Sequence, residues 1–211
     1  MRSRIKQQLQ QQLDSLDVHQ CRKVAKVCEA WARLGAHKAL ARGAKGLRRD
    51  LGAQRDAWVR YQWRLKLGQK AKAPPMGPAP KVEALKAAIR VAPLPDESQL
   101  LLGFCRRYRK ARRHYLALKS CKHPRPEALH RLRKEVKALA VYSLWLGAKA
   151  LAAAFKTLGD RLGDDHDLAV LGGQKAKDRR RQQHRQLHVL LRTCFGKKSL
   201  RNCDLGSAVP L

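Results

Sequence analysis

VHQCRKVAKVCEAW (residues 18–31) and LHRLRKEVKALAVY (residues 129–142) read as two versions of one helix. At about 100° of rotation per residue, Val18, Cys21, Ala25, Cys28 and Ala32 share one face, which Val24 and Trp31 extend. His19, Arg22, Lys23, Lys26 and Arg33 gather on the opposite side. The second stretch sorts the same way, with Leu129, Leu132, Val136 and Leu139 inward and His130, Arg133, Lys134 and Lys137 in a basic band. An offset of 111 residues carries Val18 onto Leu129, and with it His19 onto His130, Arg22 onto Arg133, Lys23 onto Lys134 and Lys26 onto Lys137. Continued without a gap, it pairs Leu47 with Leu158, Leu51 with Leu162, Gly52 with Gly163 and Asp56 with Asp167. So many matches at one offset indicate an internal repeat.

Apolar residues elsewhere also recur at spacings of three and four, and strand-like alternation is absent. Leu40, Ala44, Leu47 and Leu51 form one stripe, and Leu151, Phe155, Leu158 and Leu162 another. Leu101, Phe104, Tyr108, Ala111, Tyr115 and Leu118 line a third, on a helix whose other faces carry Arg106, Arg107, Arg109, Lys110, Arg112 and Arg113. A last basic helix is expected from about Gln174 to Phe195. The fold class expected is all-α: two four-helix bundles related by a pseudo-twofold axis and generated by the repeat. The first half-domain takes residues 1–72 and the second 97–196. Between them, AKAPPMGPAP (71–80) cannot continue a helix, so 73–96 reads as a Pro-rich linker with room for a short helix. Residues 197–211 read as a loose tail.

Composition narrows the partners. The 211 residues include 47 Lys and Arg against 16 acids, a formal charge of +31, yet 44% are hydrophobic. A packed core is therefore available, and a polyanion would relieve the self-repulsion of the charge. No apolar run approaches the roughly 20 residues needed to span a bilayer. The N-terminal MRSRIKQQLQQQLDSLD lacks a secretory apolar stretch and reads as a helix. The six cysteines, Cys21, Cys28, Cys105, Cys121, Cys194 and Cys203, show no CxxC spacing, which favours a cytoplasmic location.

The paired basic bands suit phosphate. Arginine offers a planar fork to two phosphate oxygens, lysine a mobile point charge. A histidine at the margin can donate a hydrogen bond, and nearby anions favour its protonated form. The alternative for a basic band is a solvated helix face, weakened here because the band recurs and begins each time with histidine. His19 and His130 could equally be boundary histidines bonded to a neighbouring helix. LGAQRD (51–56) and LGDDHD (162–167) form the second shared element. Gly52 and Gly163 suit left-handed helix C-termini, with Asp56 and Asp167 in the first turn of the next helix. A metal or proton-transfer site at Asp160, Asp164, Asp165, His166 and Asp167 is disfavoured, since the first repeat has Ala53, Gln54 and Arg55 at the corresponding positions.

His-x-x-Arg-x-x-x-Lys twice (His19 to Lys26, His130 to Lys137), with two Leu-Gly-x-x-x-Asp segments, resembles the CHAD family, the conserved-histidine α-helical domain. The resemblance spans residues 18–171. It implies pseudo-symmetric helical bundles around a basic cavity, binding of inorganic polyphosphate and association with polyphosphate granules. It nominates His19, Arg22, Lys26, His130, Arg133 and Lys137 as phosphate contacts, with Lys23, Arg33 and Lys134 in the same bands. Arg55, Arg106, Arg109 and Arg113 are additional candidates. The chain departs from the family at Val27 and Glu29, usually basic, and at AVYSL (140–144), where Arg-Tyr-x-x-Glu is common.

Catalysis is not expected. P-loop, GxSxG, HExxH and Glu-x-Glu-x-Lys signatures are missing, five glutamates are scattered along the chain, and no metal or cofactor is implied. The competing reading is RNA or general nucleic-acid binding, which needs the same charge but usually adds aromatic platforms for bases. Aromatics are 5% here, and Trp31, Trp58, Tyr61 and Trp145 are expected to pack into helix interfaces.

Overall fold

A computed structural model describes residues 2–119, 121 and 124–196. The expected tail (197–211) and Cys203 lie outside them. Among the described residues the protein is all helical, with no strand. None of these helices is long and apolar enough to cross a membrane. The chain divides into two compact units, residues 1–99 and 100–211.

The first unit holds α1 (Arg2–Asp14), α2 (Val18–Leu34), α3 (Lys38–Asp50), α4 (Gly52–Lys66) and α5 (Glu83–Val91). Helix α2 starts where Asp17 caps it, its carboxylate accepting the Gln20 N–H at 2.7 Å. Such a cap contributes about 1 kcal/mol. Its apolar face (Cys21, Val24, Ala25, Cys28, Trp31) is buried with Leu13 of α1, Leu40 and Ala44 of α3, and Leu85 and Ile89 of α5. Burial pushes the Cys28 thiol up to about 12, so it is an inert packing group. Within residues 73–96, α5 packs on α1 and α3. Lys6 donates to the Arg90 carbonyl at its C-terminus (2.8 Å), and Trp31 Nε1 donates to the Pro93 carbonyl (2.8 Å).

The second unit holds most of α6 (Glu97–Lys119), then α7 (Pro126–Trp145), α8 (Lys149–Leu171) and α9 (Gln174–Phe195). Asp96 and Gln99 form a reciprocal capping box at the start of α6, Gln99 N–H to Asp96 Oδ1 at 2.7 Å and Asp96 N–H to Gln99 Oε1 at 3.1 Å. Helix α6 buries Leu100, Phe104, Tyr108, Ala111, Tyr115 and Leu118, with Leu101 only half-buried. Its aromatic rings meet Phe155 of α8 and Phe195 of α9 at centroid distances of 5.5–6.3 Å.

The 111-residue offset recurs in the helix bounds. Helix α2 ends at Leu34 and α7 at Trp145, while α3 begins at Lys38 and α8 at Lys149. Both turns close alike. The His37 N–H donates to the Ala32 carbonyl (3.1 Å) and the Ala148 N–H to the Ser143 carbonyl (2.9 Å), the long bond of a Schellman motif. The left-handed residue is Ala36 (φ 53°) in one turn and Gly147 (φ 78°) in the other.

The Leu-Gly segments do not behave as expected. Leu51 interrupts the chain between α3 and α4, but Gly52 is the first residue of α4 and has no positive φ. Gly163 lies inside α8, which runs unbroken through it, so Asp167 sits near that helix's C-terminus rather than in a first turn. A mid-helix glycine costs about 1 kcal/mol. Here its missing side chain makes room, since a Cβ at Gly163 would stand 3.1 Å from Nη2 of Arg133.

Because glycine adopts positive φ without the steric cost that alanine bears there, Gly147→Ala should cost about 1 kcal/mol. Ala36→Gly should shift stability the other way. Urea denaturation of the two variants reads both signs.

Candidate phosphate-binding bands

On α2, His19, Lys23 and Arg33 are exposed, while Arg22 and Lys26 are half-buried. Arg22 Nη1 donates to the Arg48 carbonyl at 2.8 Å, in the last turn of α3 where carbonyls lack helical partners. That anchors one edge of the guanidinium. Arg33 stands in the last turn of α2, two turns beyond Lys26, and its counterpart on α7 is Leu144. Glu29 pairs with Arg48 across α2 and α3.

Arg55, from the first turn of α4, bonds Asp56 (3.0 Å) and acts on His19. Partial burial, then Lys23, Lys26 and Arg55, hold the His19 imidazole below its ordinary value against the opposing pull of Asp17. The structure therefore brings Arg55 together with His19, Lys23 and Lys26.

The band on α7 has the same profile except at its histidine. Lys134 is exposed; His130, Arg133 and Lys137 are half-buried. All three half-buried groups lie toward α8. The Arg133 guanidinium spreads over Gly163, and the Lys137 stem crosses Gly159, whose added Cβ would lie 3.4 Å from Lys137 Cγ. The His130 ring meets the His166 ring of α8 at a centroid distance of 4.3 Å and 37° between planes.

The charges of α6 divide by face. Arg107 and Lys110 turn onto Glu135 of α7, a carboxylate 4% exposed. Arg106, Arg109 and Arg113 stay exposed. Glu135 projects from α7 roughly 140° around the helix from His130, so α6 meets a different side of α7 from the band.

The acids of α8 are engaged separately. Asp160 meets Lys156 (3.1 Å) and Asp164 meets Arg161 (3.9 Å). Asp165, 1% exposed, receives a two-pronged contact from Arg180 of α9 (3.0 and 3.1 Å) and one from His184 (3.3 Å). Among the described residues no cluster of His, Cys, Asp and Glu is arranged to hold a metal. For Asp165, burial raises the carboxyl pKa, but hydrogen bonds from His184 and Arg180 outweigh it and leave the group below the ordinary range. For Glu135, burial is likewise overcome by hydrogen bonds from Arg107 and Lys110.

Of the aromatic residues expected to pack, Trp31 is buried and Tyr61 and Trp145 are half-buried, but Trp58 is 50% exposed. Helix α4 buries Trp63 alone, so the apolar residues on its other faces stay at the surface.

The family model for the CHAD domain matches residues 64–176, more than half of the chain. The chain belongs to the CHAD domain family. The matched span contains the whole α7 band and its α8 partners, and begins beyond the α2 band. CHAD domains are associated in general with polyphosphate binding, and are generally binding rather than catalytic domains. No curated protein and no solved structure matches the chain.

Sequence reasoning left His166 out of the band, although the 111-residue offset that pairs Arg55 with His166 carried the signal. The Asp165 and Glu135 clusters were missed as well; single acids on otherwise basic helices were the available hint.

Folded carboxyls with lowered pKa values stabilise above the unfolded value of about 4, and that contribution disappears as pH falls through the folded values. Asp165→Ala should cost about 3 kcal/mol at pH 7, with the arginine left partly buried and unpaired. The deficit should vanish toward pH 2. Chemical denaturation at the two pH values, followed by circular dichroism, measures both.

Proposed function

We propose that the chain binds inorganic polyphosphate without catalysis, through the basic bands of α2 and α7. The observation that carries this reading is the recurrence, in a CHAD-family chain, of one histidine, one arginine and two lysines at equal spacing, the arginine and both lysines with matching exposure. Half-buried Arg22, Arg133 and Lys137 are held along the neighbouring helix, so less side-chain entropy is lost when they meet phosphate. Exposed Lys23 and Lys134 add mobile charge. A repeating anion that engages both bands gains avidity, because the second contact becomes intramolecular. Binding of this kind would carry the protein to polyphosphate granules.

Nucleic-acid binding is the second reading, and Trp58 favours it. The ring is 50% exposed, 5.4 Å from Tyr61, on a helix that also bears Arg60 and Arg64. Such a pair could stack a base.

Competition at physiological salt between labelled long-chain polyphosphate and unlabelled polyphosphate, RNA or duplex DNA separates the two. Polyphosphate should displace the label best at equal phosphate concentration; equal competition by RNA would transfer the assignment to general polyanion binding. Alanine at Arg22, Lys26, Arg133 and Lys137 together should weaken polyphosphate binding on the order of a thousandfold with helicity retained. With six cations (Arg22, Lys23, Lys26, Arg133, Lys134 and Lys137) at phosphates, log K should fall with log salt at a slope of roughly −4, taking the value for single strands.

A further inference from the structure

The two bands differ at one corresponding position. Next to His19 the first unit has Arg55; next to His130 the second has His166, 111 residues on from Arg55, with the rings 4.3 Å apart. Arginine keeps its charge at every accessible pH. Histidine does not. The α2 band therefore carries a permanent cation where the α7 band carries a titratable one.

The surroundings decide when His166 is charged. From α7 it meets His130, and the Arg133 guanidinium lies over Gly163, one turn earlier on α8. On its own helix stand Arg161 and Asp164, which pair with each other, together with Asp165 and Asp167. From α9, Arg180 and His184 are turned onto Asp165. Two imidazolium rings in contact beside a guanidinium repel one another, which disfavours the doubly protonated pair. A phosphate chain along the band offsets that repulsion and favours proton uptake.

We infer that the α7 band is a proton-coupled phosphate site, in which the His130–His166 pair gains a proton as the polyanion binds, whereas the α2 band keeps the fixed charge of Arg55. The inference rests on the phosphate-binding reading and adds a regulation to it. The protein would grip its polyanion more tightly in mildly acidic surroundings, and that gain would come from one band. The α2 counterpart shows the same direction, since burial and then the cations Lys23, Lys26 and Arg55 lower the proton affinity of His19.

The test uses the full chain with Arg22→Ala and Lys26→Ala, which leaves α7 as the intact band, and long-chain polyphosphate as ligand. Its internal phosphates stay ionised across the range used. Affinity should rise about tenfold from pH 8 to pH 6, and calorimetry in buffers of different ionisation enthalpy should register proton uptake. His166→Arg should bind more tightly at pH 8 and lose at least half of the proton uptake. In the otherwise wild-type chain, Arg55→His should add proton uptake, a second reading should His166→Arg fail to fold. Pronounced polyphosphate binding with no pH dependence, or proton uptake unchanged in His166→Arg, overturns the proton-coupled site and leaves the phosphate reading standing. Absence of polyphosphate binding at every pH overturns the phosphate reading itself.

Discussion

Burying the apolar faces of α2 and α7 is the constraint on which the remaining features depend. With 3.6 residues per turn, seating Cys21, Val24, Ala25 and Cys28 in one core, and Leu129, Leu132, Val136 and Leu139 in the other, commits the opposite faces to outward directions. Arg22, Arg133 and Lys137 then emerge at the edge where the following helix passes. Their stems cover apolar surface while their charged ends reach solvent. Removing the core face would therefore dissolve the basic face with it.

A formal charge of +31 requires the few acids to act economically. Glu29, Glu135 and Asp165 each hold cations that would otherwise crowd a helix interface. None of these pairings uses Lys23, Lys134 or Arg106 among the exposed cations. These three acids thus neutralise positive charge where helices meet and leave Lys23, Lys134 and Arg106 to the surface. This arrangement keeps a strongly basic chain folded while presenting charge outward.

The helical class, the apolar stripes, and the equivalence of α2 with α7 were legible because each follows from residue periodicity along one helix. The start of α9 at Gln174 was legible too, since Gly172 and Gly173 adopt positive φ there and end α8. The unbroken course of α8 was not. Leu162-Gly163 resembles a helix end in isolation, and only the Arg133 side chain lying over Gly163 explains a glycine kept mid-helix. Trp58 failed for a related reason: an aromatic residue on a helix indicates what could pack, not whether a neighbour exists to cover it. The His130–His166 contact joins two helices, and no single-helix pattern reports it.

Glu29 and Arg48 form a charged bridge between α2 and α3. The residues 111 positions on are Ala140 and Gly159, an uncharged pair of small side chains. The two hairpins thus differ at corresponding positions: an ion pair joins α2 to α3, whereas Gly159 of α8 lies under the Val136 and Lys137 side chains of α7. Transplanted beside α8, α2 would bring a carboxylate to a buried glycine with no arginine to meet it. Transplanted beside α3, α7 would leave Arg48 facing a methyl group. The difference at these positions makes the two hairpins non-exchangeable parts, each fitted to its own partner helix.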